Sequence, residues 1–186
     1  MDVNNLDQHI AIYKAMREVC PIHIGGSFAL LLHGYDLKRP IHDLDIIIPE
    51  SMNDFNYEPV EQAIRELNRN NYKGSTSMDN FDVGYRTFTS TGEQVNVDVK
   101  YTSNITEFIE VIYKEQSFKV TALKYIIEAK MRYALGRSRS GRKHANDLSL
   151  LHEQGCPGID AGALPAKSIF DSFFEITRST SNSDIW

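Results

Sequence analysis

Leu6, Ile10, Tyr13, Met16 and Cys20 recur every three or four residues, the period of an amphipathic helix, and Pro21 marks its end. Residues 22–24 then alternate as a short strand. Gly25-Gly26-Ser27 reads as a turn, and the apolar run 28–33 as a helix with Ser27 placed to cap it and Gly34 to close it. After a polar loop over 36–40 comes Asp43-Leu44-Asp45-Ile46-Ile47-Ile48, halted by Pro49, whose β-branched residues mark a buried strand. A second amphipathic helix is expected from about Pro59, with Val60, Ile64 and Leu67 on its apolar face. A strand over 83–88, a turn through Thr91-Gly92, and the alternation of Val95, Val97 and Val99 with Asn96, Asp98 and Lys100 predict an antiparallel hairpin.

From about Ile105 the pattern turns helical. Phe108, Ile109 and Ile112 make one short face; Leu123, Ile126, Ile127, Lys130, Met131 and Ala134 make a longer one. Gly136 and a serine-arginine stretch interrupt it, and a further helix is expected over 144–153. Residues 155–163 read as an irregular turn, 169–176 as a last helix, and 179–186 as a frayed end. No internal repeat is present. The pattern predicts an α/β (α+β) fold: a mixed sheet flanked by helices over residues 1–104, with a helical segment over 105–186 packing on it.

Composition narrows the function classes. Of 186 residues 41% are hydrophobic, which suits a globular chain. No run approaches the ~20 apolar residues of a membrane span, and the polar, acidic start lacks the blocks of a signal peptide. Cys20 and Cys156 stand far apart without a CxxC partner, which disfavours a zinc site or a disulfide framework. These features predict a cytoplasmic protein without membrane contact. The net charge of −5 argues against coating nucleic acid through overall charge. A local basic cluster nevertheless exists at Arg137, Arg139, Arg142, Lys143 and His144. It reads either as a solvated, flexible loop or as a contact for the phosphates of a nucleotide or RNA.

The candidate chemistry lies in the acidic strand. Side chains at i and i+2 of a strand share a face, so Asp43 and Asp45 stand side by side, where two carboxylates repel. A divalent cation compensates them, and hard oxygen ligands suit Mg²⁺, which also binds phosphate oxygens. Asp98, polar between valines, sits on another strand; a neighbouring strand would place it ~5 Å from the pair. Three such carboxylates fit a two-metal phosphoryl-transfer site. The alternative has Asp43 starting the strand and Asp45 reaching solvent at a sheet edge. Upstream, the small residues of Gly25-Gly26-Ser27 let backbone N–H groups approach a phosphate, although an ordinary strand-to-helix turn would look alike. Other motifs fail. Residues 136–143 mimic a P-loop with Arg142 and Lys143 at the positions of lysine and serine or threonine; no G-x-S-x-G elbow exists; His23, His33 and His42 lack zinc-like spacing.

The string Gly25-Gly26-Ser27-Phe28-Ala29-Leu30-Leu31-Leu32-His33-Gly34, then Arg39, then Asp43-Leu44-Asp45 and three isoleucines, resembles the DNA polymerase beta-like nucleotidyltransferase superfamily. More narrowly it is similar to the small bacterial branch of lincosamide and aminoglycoside nucleotidyltransferases and toxin-like enzymes of abortive-infection systems. Val97-Asp98-Val99 matches the later strand that brings the third carboxylate. Lys130 and Lys143-His144-Ala145-Asn146-Asp147-Leu148 resemble the lysine and the basic-x-x-Asp-Leu signature of that branch. One departure is His42, where the family usually has serine or threonine. The resemblance implies transfer of a nucleoside monophosphate from a nucleoside triphosphate, ATP among the candidates, to a hydroxyl acceptor, with release of pyrophosphate. It implies Asp43, Asp45 and Asp98 as catalytic and metal-binding residues for Mg²⁺ or Mn²⁺, and Gly25, Gly26, Ser27, Arg39 and Lys130 as nucleotide-binding ones. Lys130, on an apolar helix face, can equally snorkel past the core edge, and Asp147 can be a helix cap or the partner of a buried ion pair. The acceptor would be a small molecule, an RNA or a protein, and a homodimer is compatible with the reading. The rival reading is a non-catalytic nucleotide-binding or toxin–antitoxin-type interaction module; three intact aspartates speak against it.

Overall fold

A computed structural model describes residues 3–49, 56, 58, 62, 72–80, 83–90, 95–102, 107–134 and 139–159. Among them, helix α1 (Val3–Val19) leads into the short strand β1 (His23–Ile24) and helix α2 (Gly26–Leu32). Strands β2 (Asp43–Ile48), β3 (Tyr72–Asn80), β4 (Val83–Ser90), β5 (Asn96–Thr102), β6 (Phe108–Tyr113) and β7 (Gln116–Thr121) follow. Helices α3 (Leu123–Ala134) and α4 (Arg139–Glu153) come last. The described strands make one seven-stranded sheet in the order β3-β4-β5-β2-β1-β7-β6. It is mixed: β2–β5 and β1–β7 run parallel, and the other neighbours run antiparallel. No helix among the described residues is long and apolar enough to cross a membrane.

The expected α+β arrangement and the β4–β5 hairpin are present. Two sequence expectations need correction. Residues 108–121, expected to be helical, are the hairpin β6–β7, which extends the sheet. Tyr113 pairs with Gln116, so the loop is the two residues Lys114 and Glu115, both at positive φ (47° and 63°). This is the geometry that follows the twist of a tight hairpin and is usually made by Asn-Gly. The other correction is α4. It begins at Arg139, so Arg142, Lys143 and His144 stand on a helix and not in a flexible loop. Strand β3 was not foreseen. The helix expected from Pro59 lies, apart from the helical Gln62, outside the described residues, as do the turn at Thr91-Gly92 and the elements expected beyond residue 160. The chain divides into two compact units, Met1–Ile126 and Ile127–Trp186, with α3 running through the division.

In the first unit, α1 buries His9, Ile12, Tyr13 and Met16, a stripe at helical spacing. Leu6 and Ile10, expected inside, are only half-buried. Helix α1 reaches across the sheet. The Gln8 side chain accepts from the Val95 N–H before β5 (3.2 Å), and the Tyr13 hydroxyl accepts from the Lys119 N–H of β7 (3.0 Å). Arg17 donates to the Ser117 carbonyl (3.1 Å). From Gln8 to Arg17 a helix rises ~13 Å, close to the ~14 Å of the three steps from β5 to β7. Phe118 anchors the packing, with Tyr13 at 5.0 Å and Phe28 at 6.4 Å between ring centroids. His23 on β1 packs its ring on Phe108. Burial and the nearby Lys119 ammonium hold its pKa below the ordinary histidine value.

Candidate active site

Strands β2 and β5 run parallel and in register, with Asp45 opposite Asp98 and Asp43 opposite Asn96. Burial alternates along β2 and along β5 as far as Tyr101. Leu44, Ile46, Val97 and Val99 point into the core, while Asp43, Asp45, Asn96 and Asp98 occupy the half-buried face. Adjacent strands lie ~4.8 Å apart, so Asp45 and Asp98 are direct cross-strand neighbours, an arrangement in which like charges oppose each other. Oδ1 of Asp43 and Oδ1 of Asp98 are both shut off from solvent. As the side chains stand, no three His, Cys, Asp or Glu groups among the described residues converge tightly enough to hold one ion. The strand register therefore brings the carboxylates to one face without closing them into a finished cage.

The turn after β1 meets the same spot. The Gly25 N–H donates to the Asp45 carbonyl at 2.8 Å, locking the turn to β2. Gly26 has φ +59°, and a Cβ built on it would lie 1.7 Å from Asp45 Oδ2 and 2.4 Å from Asp45 Cγ. The Asp45 carboxylate thus rests directly on the Gly26 backbone. Gly25 has an extended backbone (φ −113°, ψ −165°), and its Cβ would meet nothing nearer than Ile47 Cδ1 at 3.4 Å. Gly25, not Ser27, is the N-cap of α2, and it makes no side-chain cap bond. Ser27 lies buried in the first turn, where its hydroxyl accepts from Arg39 Nη2 at 3.0 Å. Arg39 also donates to the Pro40 carbonyl at 3.1 Å. Gly25 and Gly26 thus adjoin Asp45, and Ser27 ties Arg39 to the same turn.

The two glycines make a differential prediction. Gly26→Ala forces both a left-handed backbone, unfavourable by roughly 1–2 kcal/mol for an L-residue, and an overlap with the Asp45 carboxylate. It should displace that carboxylate and destabilise the fold by at least roughly 1–2 kcal/mol. Gly25→Ala should stay within about 0.5 kcal/mol of wild type, since it adds one tight contact to a flexible isoleucine. Urea denaturation of both variants checks the ranking.

Lys130 belongs to helix α3. In the second unit its ammonium is buried and donates to Asp147 Oδ2 at 2.6 Å, with side-chain exposures of 4% and 1% for the pair. This is the buried ion pair that stood as one reading of Asp147. In the basic cluster, Arg142 is exposed and His144 stacks on Tyr133 at 5.1 Å; Arg137 lies outside the described residues. His42 is exposed, and its carbonyl accepts from the Asn96 N–H at 3.0 Å. Two residues that sequence reasoning missed are Gln8 and His9. The His9 ring Nε2 lies 3.3 Å from the Asp43 carbonyl, and its centroid is 4.9 Å from that of Phe28. A polar residue off the expected Leu6–Ile10 face carried no signal for this.

The mixed sheet and its helices have the fold of solved nucleotidyltransferase structures. The antibiotic-resistance factor ANT(2'')-Ia superposes with a TM-score of 0.54 at 14% identity, over 97% of this chain and 97% of that one. A protein of H. pylori assigned as a nucleotidyltransferase superposes with a TM-score of 0.52 at 18% identity, over 82% of this chain and 70% of that one. At these identities the likeness is one of fold. No family model and no curated protein matches the sequence.

Proposed function

We propose that the chain is a metal-dependent nucleotidyltransferase that moves a nucleoside monophosphate from a nucleoside triphosphate to a hydroxyl acceptor and releases pyrophosphate. The observation that carries this reading is the Asp45 carboxylate, seated on the Gly26 backbone and opposite Asp98. It sets a paired acidic site against the glycine turn that opens α2, whose first N–H groups can serve phosphate oxygens. The donor set of hard carboxylate oxygens fits Mg²⁺ or Mn²⁺. Asp43, Asp45 and Asp98 would hold the ion or ions, whose contribution is to neutralise phosphate charge.

The chain's own groups then have distinct tasks. The backbone N–H groups at Gly26 and Ser27 hold the triphosphate, and Arg39, braced on Ser27, adds positive charge beside it. The acceptor oxygen bonds to the α-phosphorus as the bond to pyrophosphate breaks, and Asp98 takes the proton of the hydroxyl. The acceptor is a small molecule, an RNA or a protein. Incubation with each labelled triphosphate, Mg²⁺ or Mn²⁺, and separate pools of tRNA, protein and aminoglycoside or lincosamide antibiotics tests the proposal. Label should pass to one pool only when the ion is present. No transfer from any triphosphate to any pool would favour a non-catalytic binding module.

The aspartates should differ. Asp98→Asn keeps size and hydrogen bonding but removes a charge and a base. It should leave triphosphate binding within a few-fold and lower transfer by a factor on the order of 10² or more. Normal turnover in this variant would make Asp98 a mere polar strand residue.

A further inference from the structure

We infer that Gln8 and His9 of α1 form a clamp that fixes the spacing of the two acidic strands, with His9 a positioning residue for the carboxylates. The inference rests on reading Asp43, Asp45 and Asp98 as the ligand set. Its basis is where the strand ladders stop. On one side of β2, the partner is β1, which pairs only at Ile46 and Ile47 and whose following Gly25 N–H serves the Asp45 carbonyl. Carbonyls two residues apart on a strand point to the same side. The Asp43 carbonyl therefore faces the region beyond the end of β1, where no strand of the described sheet continues the ladder. The His9 ring takes that place, with Nε2 3.3 Å from the Asp43 oxygen. A carbonyl only accepts, so this ring nitrogen carries the proton.

The start of β5 is handled in the same way. The Asn96 N–H donates to the His42 carbonyl on the β2 side. The Val95 N–H points to the opposite side, toward β4, whose pairing with β5 ends at Phe88 and Val97. The Gln8 side-chain oxygen accepts that N–H at 3.2 Å. Two successive residues of one helix thus cap both acidic strands just where their ladders run out. His9 is fully buried, and its ring packs on Phe28 of α2, the helix that follows the Gly25-Gly26 turn. One imidazole therefore touches the acidic strand and the phosphate-side helix together.

His9→Met keeps similar bulk without a donor, and His9→Gln keeps an amide donor of comparable reach. Two readouts are compared in the full-length chain: hydrogen exchange at the Asn96 amide, and the Mg²⁺ concentration that half-saturates binding of a non-hydrolysable triphosphate. His9→Met should raise both on the order of fivefold to tenfold, the effect of losing one hydrogen bond. His9→Gln should return both to near the wild-type value. If His9→Met does not fold, the half-buried Gln8→Leu removes the β5 cap and should raise the same two quantities. The clamp is overturned if exchange and Mg²⁺ dependence are unchanged in the donor-less variants, or if Met and Gln at position 9 behave alike. A wild type that binds no triphosphate with Mg²⁺ defeats the functional reading, while the exchange comparison still decides whether the clamp exists.

Discussion

Asp45→Asn is expected to lower nucleotidyl transfer by a factor on the order of 10³ while leaving the fold intact. Asparagine has nearly the shape of aspartate, so the contact with the Gly26 backbone and the alternation along β2 survive. What disappears is one negative charge from the face shared with Asp43 and Asp98. That charge is the attraction for a divalent ion, and such an ion contributes several kcal/mol of charge stabilisation in phosphoryl transfer. At 1.36 kcal/mol for each factor of ten, a loss of about 4 kcal/mol is a thousandfold. Removing a carboxylate from a repelling group should, if anything, raise thermal stability in metal-free buffer. A transfer assay beside a thermal melt separates the two: activity falls and Tm holds or rises. Retained activity would remove Asp45 from the site.

Lys130→Met is expected to cost about 3–5 kcal/mol of stability, because it strands the Asp147 carboxylate in the interior. The pair is almost wholly buried, so solvent screening relieves little of that penalty. Replacing both partners, Lys130→Met with Asp147→Leu, should recover most of the loss, since an apolar pair of similar volume often does as well as a buried ion pair. Urea denaturation of the single and double variants measures this. The double variant also bears on the nucleotide: a stable protein with normal triphosphate binding makes Lys130 structural, whereas lost binding with restored stability would return it to the nucleotide.

The site was more legible in the sequence than the sheet around it. Asp45 and Asp98 announce themselves because each interrupts an apolar run, and Asp43 stands two residues before Asp45, a spacing that fixes which face the pair shares once the strand is recognised. Their direct pairing in register could not be read, since nothing in the two strands says that they are neighbours. Hairpin β6–β7 was hidden by its turn. Lys114-Glu115 adopts positive φ without the glycine or asparagine that normally signals it, and Phe108, Ile109 and Ile112 happen to mimic helical spacing. Strand β3, Tyr-Lys-Gly-Ser-Thr-Ser-Met-Asp-Asn, offers no alternation of apolar residues at all. The start of α4 was masked by the serine-arginine stretch, which reads as a loop, although Gly141 within it lies buried inside the helix. The cap of α2 was assigned to Ser27 because serine caps well in general. The turn instead places Gly25 at the cap and uses the serine hydroxyl to hold Arg39.

The acidic face and the glycine turn are proposed to form one site for a metal–triphosphate complex. Calorimetric titration of the wild-type chain with non-hydrolysable analogues of the four nucleoside triphosphates, in Mg²⁺ and again in a chelator, tests it most directly. Saturable binding of at least one analogue is expected in Mg²⁺, with loss of that binding in the chelator and loss in Mg²⁺ when Asp45 is replaced by Asn. Binding of equal strength with and without the ion, or no binding of any analogue, would contradict it.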